Sequence, residues 1–228
     1  VQRAGLKAEH GWSCLIEIGG QRVLFDTGQT ELLLDNATAL DCSLEHLDAI
    51  VLSHGHYDHT GGLAAVTQLS PKAAVFAHPA AMHAKFTRDP DGSVRQIGMP
   101  ETSKRALSAM GVTQTPTCRE VVPGMFVTGQ IPRHTDFEDV GGRFFLDERG
   151  QQADPLVDDQ AVFFETADGI IVILGCAHAG VVNTLMHIGQ LTDGKPVRSF
   201  IGGMHLGSAN AHRLEQTVAY LKQANPSF

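Results

Sequence analysis

An α+β fold, a layered sandwich of sheets with helices outside, is what this sequence predicts, and three observations carry the prediction. Strand-length apolar runs are joined by short Gly-containing turns at Gly19-Gly20 and Asp168-Gly169. Between and after these hairpins, strand-length runs alternate with stretches that carry apolar residues at helical spacing. Several strand candidates end in a turn with polar or metal-ligating side chains, above all His54-Gly55-His56-Tyr57-Asp58-His59. Hairpins followed by strand–helix alternation bury their apolar faces best as stacked sheets covered by helices.

The elements follow in order. Residues 15–18 and 22–25 flank Gly19-Gly20 as the first hairpin, and the second run ends in Asp26-Thr27-Gly28. Residues 30–40 carry Leu at helical spacing. Residues 50–52 form the buried strand that feeds the histidine cluster. Gly61-Gly62 follows, then a helix over 63–69 and a short strand over 73–77. Residues 101–110 read as a helix closed by Gly111. Residues 161–165 and 170–174 bracket Asp168-Gly169 as a second hairpin. A helix over 181–191, a strand over 197–201 and a helix over 211–223 complete the pattern. Residues 86–100 and 133–155 are rich in Gly, Pro and charge, apart from an apolar island at 144–146. Both read as surface loops, and loops of this length often carry function. With no repeat, low-complexity tract or linker, residues 1–228 are expected to form one domain.

Composition narrows the function. The 228 residues suffice for a large core, and 43% hydrophobic content is that of a globular chain. A net charge of −8 without a long basic run argues against nucleic acid as a partner. No apolar stretch approaches the roughly 20 residues of a membrane span. Cys14, Cys42, Cys118 and Cys176 contain no CxxC pair, which points to a reducing compartment and not to a disulfide scaffold. Cys14 and Cys42 read as small buried hydrophobes. A cytoplasmic location is expected. The chain begins at Val1 with no Met, so export stays open. There is no GxGxxG, P-loop or GxSxG segment, and the aromatics are too sparse for a base-stacking surface.

The histidine cluster carries the chemistry. Residues two apart in an extended segment point the same way, so His54 and His56 can face one metal. After a turn, Asp58 and His59 can face a second. Imidazole and carboxylate ligands suit zinc, with iron and manganese as alternatives.

The His54-x-His56-x-Asp58-His59 motif, with Phe25-Asp26-Thr27-Gly28 upstream, resembles the hallmark of the metallo-β-lactamase superfamily. Five further stretches resemble one branch of it. They are Ser53 to Leu63, Gly129-Gln130-Ile131-Pro132-Arg133, Asp158-Asp159-Gln160-Ala161, Gly175-Cys176-Ala177-His178-Ala179-Gly180 and Gly202-Gly203-Met204-His205-Leu206. That branch is labelled dihydropterin-methyl-aminobenzene ribofuranosyl phosphate synthase-like. The resemblance implies an αββα sandwich, two mixed β-sheets flanked by helices, with a two-metal site at one edge of the paired sheets. It implies His178 as a further ligand. Where many members place a metal-bridging Asp, this chain has Cys176, either a thiolate ligand or a buried thiol that leaves one metal under-coordinated. His205 is a ligand, a substrate contact or a supporting histidine. Members usually continue into a late His-bearing segment with no counterpart before Phe228, so either the chain is truncated or His205 closes the site.

Asp26 is expected to orient a ligand histidine through its other N–H, and Asp159 to act similarly. Arg133 is assigned to an anionic substrate group and His134 to a surface or substrate-facing role. His187 reads as packing or solvated, and His10, His46, His78, His83 and His212 as structural.

The implied activity is metal-assisted hydrolysis of an ester, lactone or phosphoester-type bond in a small-molecule substrate, with an anionic one among the candidates. Two divalent ions roughly 3.5–4 Å apart bridge a hydroxide as nucleophile. Asp58 binds one ion and takes a proton or orients the water. The alternatives are a transferase joining a pterin-methyl group to an aminobenzene ribofuranosyl phosphate, and a non-catalytic metal-holding sensor.

Overall fold

The computed structural model describes residues 5–224 and 226. Strands β1 (Cys14–Ile18) and β2 (Gln21–Phe25) form the first hairpin. Its turn residues Gly19 and Gly20 take φ of 56° and 81°. Positive φ at both central positions is the turn geometry that matches strand twist, and glycine adopts it without steric cost. Helix α1 (Leu32–Ala39) follows, then β3 (Ala49–Val51), the short α2 (Tyr57–Thr60), α3 (Leu63–Leu69) and β4 (Ala74–Ala77). A small hairpin, β5 (Phe86–Arg88) and β6 (Val94–Gln96), precedes α4 (Glu101–Met110) and β7 (Thr113–Gln114). Next come β8 (Thr117–Val122), β9 (Met125–Gly129) and β10 (Phe144–Phe145). The chain continues through β11 (Val162–Thr166), β12 (Gly169–Leu174), α5 (Val181–Leu191), β13 (Val197–Gly202) and α6 (Ala211–Ala224).

Two mixed sheets result. The first has the order β1-β2-β3-β4-β7, antiparallel at β1–β2 and parallel elsewhere. The second has the order β13-β12-β11-β9-β8, parallel only at β12–β13. Strand alternation sorts their side chains into layers. Val23, Phe25, Ala49 and Val51 of the first sheet meet Val127, Val162 and Ile173 of the second in the central core. The intervening Leu24 and Ile50 point outward, onto Leu63 and Val66 of α3 and Leu107 of α4. On the other side, Phe163, Val172 and Leu174 pack against Val181, Val182, Leu185 and Ile188, the inner face of α5. Each such side chain buried stabilises by roughly 1.5–3 kcal/mol. The layers read helix, sheet, sheet, helix, as the αββα expectation requires.

Two segments expected to be surface loops differ. Residues 86–96 and 144–145 pair into a third sheet, order β10-β5-β6, with Phe144 opposite Thr87 and Thr87 opposite Arg95. Strands of two or three residues, joined across a long sequence separation, leave no periodic local signal. The β8–β9 hairpin also goes beyond the sequence expectation. Its turn holds Pro123-Gly124, with Gly124 at φ 83°, a residue pair suited to a tight turn. Among the described residues no helix is long and apolar enough to cross a membrane.

Candidate metal centre

Three strands of the two main sheets deliver the cluster at one edge. β3 runs through buried Leu52 and Ser53 to His54. β12 ends at Leu174, just before Gly175, Cys176 and His178, and β13 ends at Gly202, just before His205. A Cβ at Gly175 would collide with the Ser53 hydroxyl, so only glycine lets the β12 turn close against the β3 turn.

The ligand atoms converge in three overlapping groups: His54, His56 and His178; His54, His59 and Cys176; and Cys176, His178 and His205. Within each, the donor atoms all lie within 4.8 Å of one another. His54 Nε2 is 2.9 Å from His56 Nδ1, and His59 Nε2 is 3.1 Å from Cys176 Sγ. The His178 and His205 rings stand 4.4 Å apart. Asp58 stands outside these groups, its Oδ2 3.6 Å from His59 Nε2 and 3.2 Å from His10 Nε2.

The donor set fits a divalent cation. His56 Nε2 and His178 Nε2 are buried without a hydrogen-bond partner. The His178 Nδ1–H donates to the Val140 carbonyl at 2.8 Å, which leaves the lone pair on Nε2. His59 Nδ1–H donates to Asp26 Oδ2 at 2.6 Å, which turns Nε2 toward Cys176. The Ser53 hydroxyl donates to the same Asp26 Oδ2 at 2.6 Å and, by accepting from His54 Nδ1 at 2.8 Å, frees His54 Nε2.

Electrostatics agree for three of these four rings. Burial, reinforced by the neighbouring imidazoles, holds His54, His56 and His178 well below the usual histidine range, as neutral ligands. Burial also works against a charged His59, but the Asp26 carboxylate outweighs it and lifts that group well above 6.5. Burial pushes the Cys176 thiol up against the pull of His59.

The other sequence-predicted residues divide. Asp26 reaches the His59 ring directly. Asp159 reaches His178 through the backbone instead: its carboxylate accepts the main-chain N–H of Ala179 at 2.7 Å and that of His178. Arg133 is turned aside, with Nη2 donating to the Pro155 carbonyl at 2.9 Å. His134 uses its backbone N–H on Asn183 Oδ1 at 2.8 Å, and neither Arg133 nor His134 lines the metal cavity. His78, read as structural, accepts the Ala80 N–H at the start of the 3-10 turn Pro79–Met82.

The cavity at the cluster has a volume of about 420 Å³. His56, Asp58, His59, Cys176, His178 and His205 line it, together with Trp12, Tyr57, Thr87, Arg95 and Phe144. Sequence reasoning missed His10, which reaches Asp58 from the N-terminal segment, and Arg95, which lies in an assumed loop. It also missed Lys85, a buried cation 2.8 Å from Asp158 and 2.9 Å from Asp154. The Asp158-Asp159 pair was the available signal, since buried carboxylates require partners.

Residues 6–217 match the family model described as the metallo-beta-lactamase superfamily. A Methanocaldococcus jannaschii protein named 7,8-dihydropterin-6-methyl-4-(beta-D-ribofuranosyl)-aminobenzene-5'-phosphate synthase is 29% identical, over 95% of this chain and 77% of its own. An uncharacterized protein of the same organism is 32% identical, over 94% of this chain and 80% of its own. A crystal structure described as a metal-dependent hydrolase of the beta-lactamase superfamily superposes with a TM-score of 0.81 at 28% identity, covering 98% of this chain and 80% of that one.

Proposed function

We propose, for a chain that belongs to the metallo-β-lactamase superfamily, a metal-dependent hydrolase acting on an ester, lactone or phosphoester-type bond of a small molecule. The observation that carries this reading is the set of bare, buried imidazole nitrogens converging on one open cavity. His54, His56 and His178 would hold one divalent ion. Asp58 and His59 would hold a second, with Cys176 and His205 as the further donors beside the two sets. Zinc fits the imidazole–thiolate donors best, and iron or manganese would also be accepted. Two such ions supply an acidified water and polarise the substrate oxygen.

The protein's own part is positional. Asp26 fixes the ring orientation of His59 directly and of His54 through Ser53. Asp58, whose Oδ2 lies 3.2 Å from His10 Nε2, would accept a proton at the cavity wall. Phe144, with its ring 5.2 Å from those of His56 and His178, shields the histidines from bulk water. A single domain in the cytoplasm is the setting this reading assumes.

A second reading is supported by the 29%-identical relative named as a synthase. In it, the same site would join a pterin-methyl group to an aminobenzene ribofuranosyl phosphate.

Elemental analysis of protein purified without added metal, run beside an ester, lactone and phosphoester panel, tests the proposal. Close to two ions per chain with turnover of a panel member is expected. A His56→Ala or Asp58→Ala variant that kept full metal content and full rate would sink it. Turnover of a pterin diphosphate with the arylamine, and of no panel member, would favour the synthase.

A further inference from the structure

We propose that the substrate carries an anionic, oxygen-bearing group, a carboxylate or a phosphate ester, and that Arg95 receives it on the cavity wall built by the third sheet. The inference rests on the hydrolase reading of the same cavity.

Register carries the argument. Phe144, Thr87 and Arg95 are consecutive partners across β10, β5 and β6. Directly paired residues of antiparallel strands share a face. All three line the cavity. The third sheet therefore presents one row of side chains: an aromatic ring, a hydroxyl and a guanidinium. The Phe144 end abuts His56 and His178, with ring centroids 5.2 Å apart in both cases. Two strand spacings, roughly 10 Å, separate the Phe144 and Arg95 backbones. A substrate whose reacting bond lies at the histidines reaches Arg95 at about the length of one substituted ring.

The guanidinium is held ready. Asp89 Oδ2 engages Nε at 2.9 Å, and the Tyr57 side chain stands against it. A guanidinium has five donors in a planar fork, so donors remain for an oxyanion. With its side chain 53% exposed, Arg95 gains little from Asp89 as an ion pair alone. Its place in the cavity gives the residue a use that pairing does not. Among the residues lining the cavity it is the one Lys or Arg, while Glu9 and Asp58 line the same space. Arg133, the arginine expected from sequence to do this, donates to a backbone carbonyl elsewhere.

The test uses three aryl esters that differ only in a remote substituent, neutral, carboxylate or phosphate. Wild-type, Arg95→Gln and Arg95→Lys proteins are compared by kcat/KM. Alongside it, calorimetry measures benzoate and phenyl phosphate binding to metal-free protein. We expect the wild type to prefer one of the anionic esters at least tenfold over the neutral one, largely through KM. Arg95→Gln loses that preference, Arg95→Lys restores part of it, and whichever anion benefits names the source. Binding of the preferred anion to metal-free protein weakens at least tenfold in Arg95→Gln. Ester turnover with an anion preference unchanged in Arg95→Gln overturns the inference and leaves the hydrolase reading intact. Arg95-dependent anion binding with no ester turned over supports the inference and sinks the hydrolase reading.

Discussion

Asp26 Oδ2 accepts hydrogen bonds from His59 Nδ1 and from the Ser53 hydroxyl, both at 2.6 Å, so one buried carboxylate orients two rings of the histidine cluster. Its other oxygen accepts the Ser53 N–H at 2.6 Å. Asp26→Ala would strand several buried donors and cost about 3–5 kcal/mol of stability. Asp26→Asn keeps the shape and loses the charge, and Asn tolerates the positive φ of 61° at this position. We expect Asn to cost less stability than Ala yet still lower metal retention. Denaturant unfolding and metal analysis of both variants check this. Full metal content in Asp26→Ala would contradict the orienting role.

Cys176 stands where its sulfur can join either of two ligand groups. Protein loaded with cobalt(II) should show a thiolate-to-metal absorption band in the near ultraviolet. Cys176→Ser should lose the band and bind one ion at least tenfold more weakly. A spectrum unchanged in Cys176→Ser would leave the sulfur as packing.

Burial pushes the Asp159 carboxyl up to about 7, against the backbone N–H bonds of Ala179 and His178. The folded state therefore binds this proton more tightly than the unfolded state, whose carboxyl titrates near 3.8. That contribution to stability is full below pH 3.8 and is lost as pH rises through 7. Asp159→Asn does not titrate. Its stability relative to the parent should rise by up to roughly 4 kcal/mol between pH 4 and pH 8. Chemical denaturation of metal-free protein at both pH values measures this, and a pH-independent difference would refute it.

Lys85 is buried between Asp154 and Asp158, and burial's penalty on its charge is outweighed by those two carboxylates. Lys85→Met would leave both unpaired, at a cost of about 3–5 kcal/mol. Asp158 Oδ2 also accepts the Gly55 N–H at 2.8 Å, inside the ligand loop. The variant should thus lose metal as well as stability. A loss under 1 kcal/mol, about the most an exposed pair supplies, would show the ion triad to be dispensable.

The central layers were legible because their signals are local. Helix α3 spans Leu63–Leu69 and α5 spans Val181–Leu191, where apolar spacing predicts them. The ligand turn was legible because four candidate ligands sit in six residues. What escaped depends on pairing at a distance. Phe144 and Thr87 are neighbours only because two polar excursions meet as strands, and a two-residue strand has no period to detect. For the same reason Arg95, on β6, falls in a stretch that reads as a loop. His10 reaches Asp58 by tertiary folding alone, as no local spacing relates them.

His59 and Cys176 are separated by 117 positions in the chain, yet their donor atoms are 3.1 Å apart. One sits on α2, which follows β3 of the first sheet, and the other just past β12 of the second. An ion gripping both would close a loop of that length, as a crosslink does. Closing long loops removes the most freedom from the unfolded chain. With an ion bound, the cluster would serve as a clasp between the two halves of the sandwich, and chelation would loosen them together.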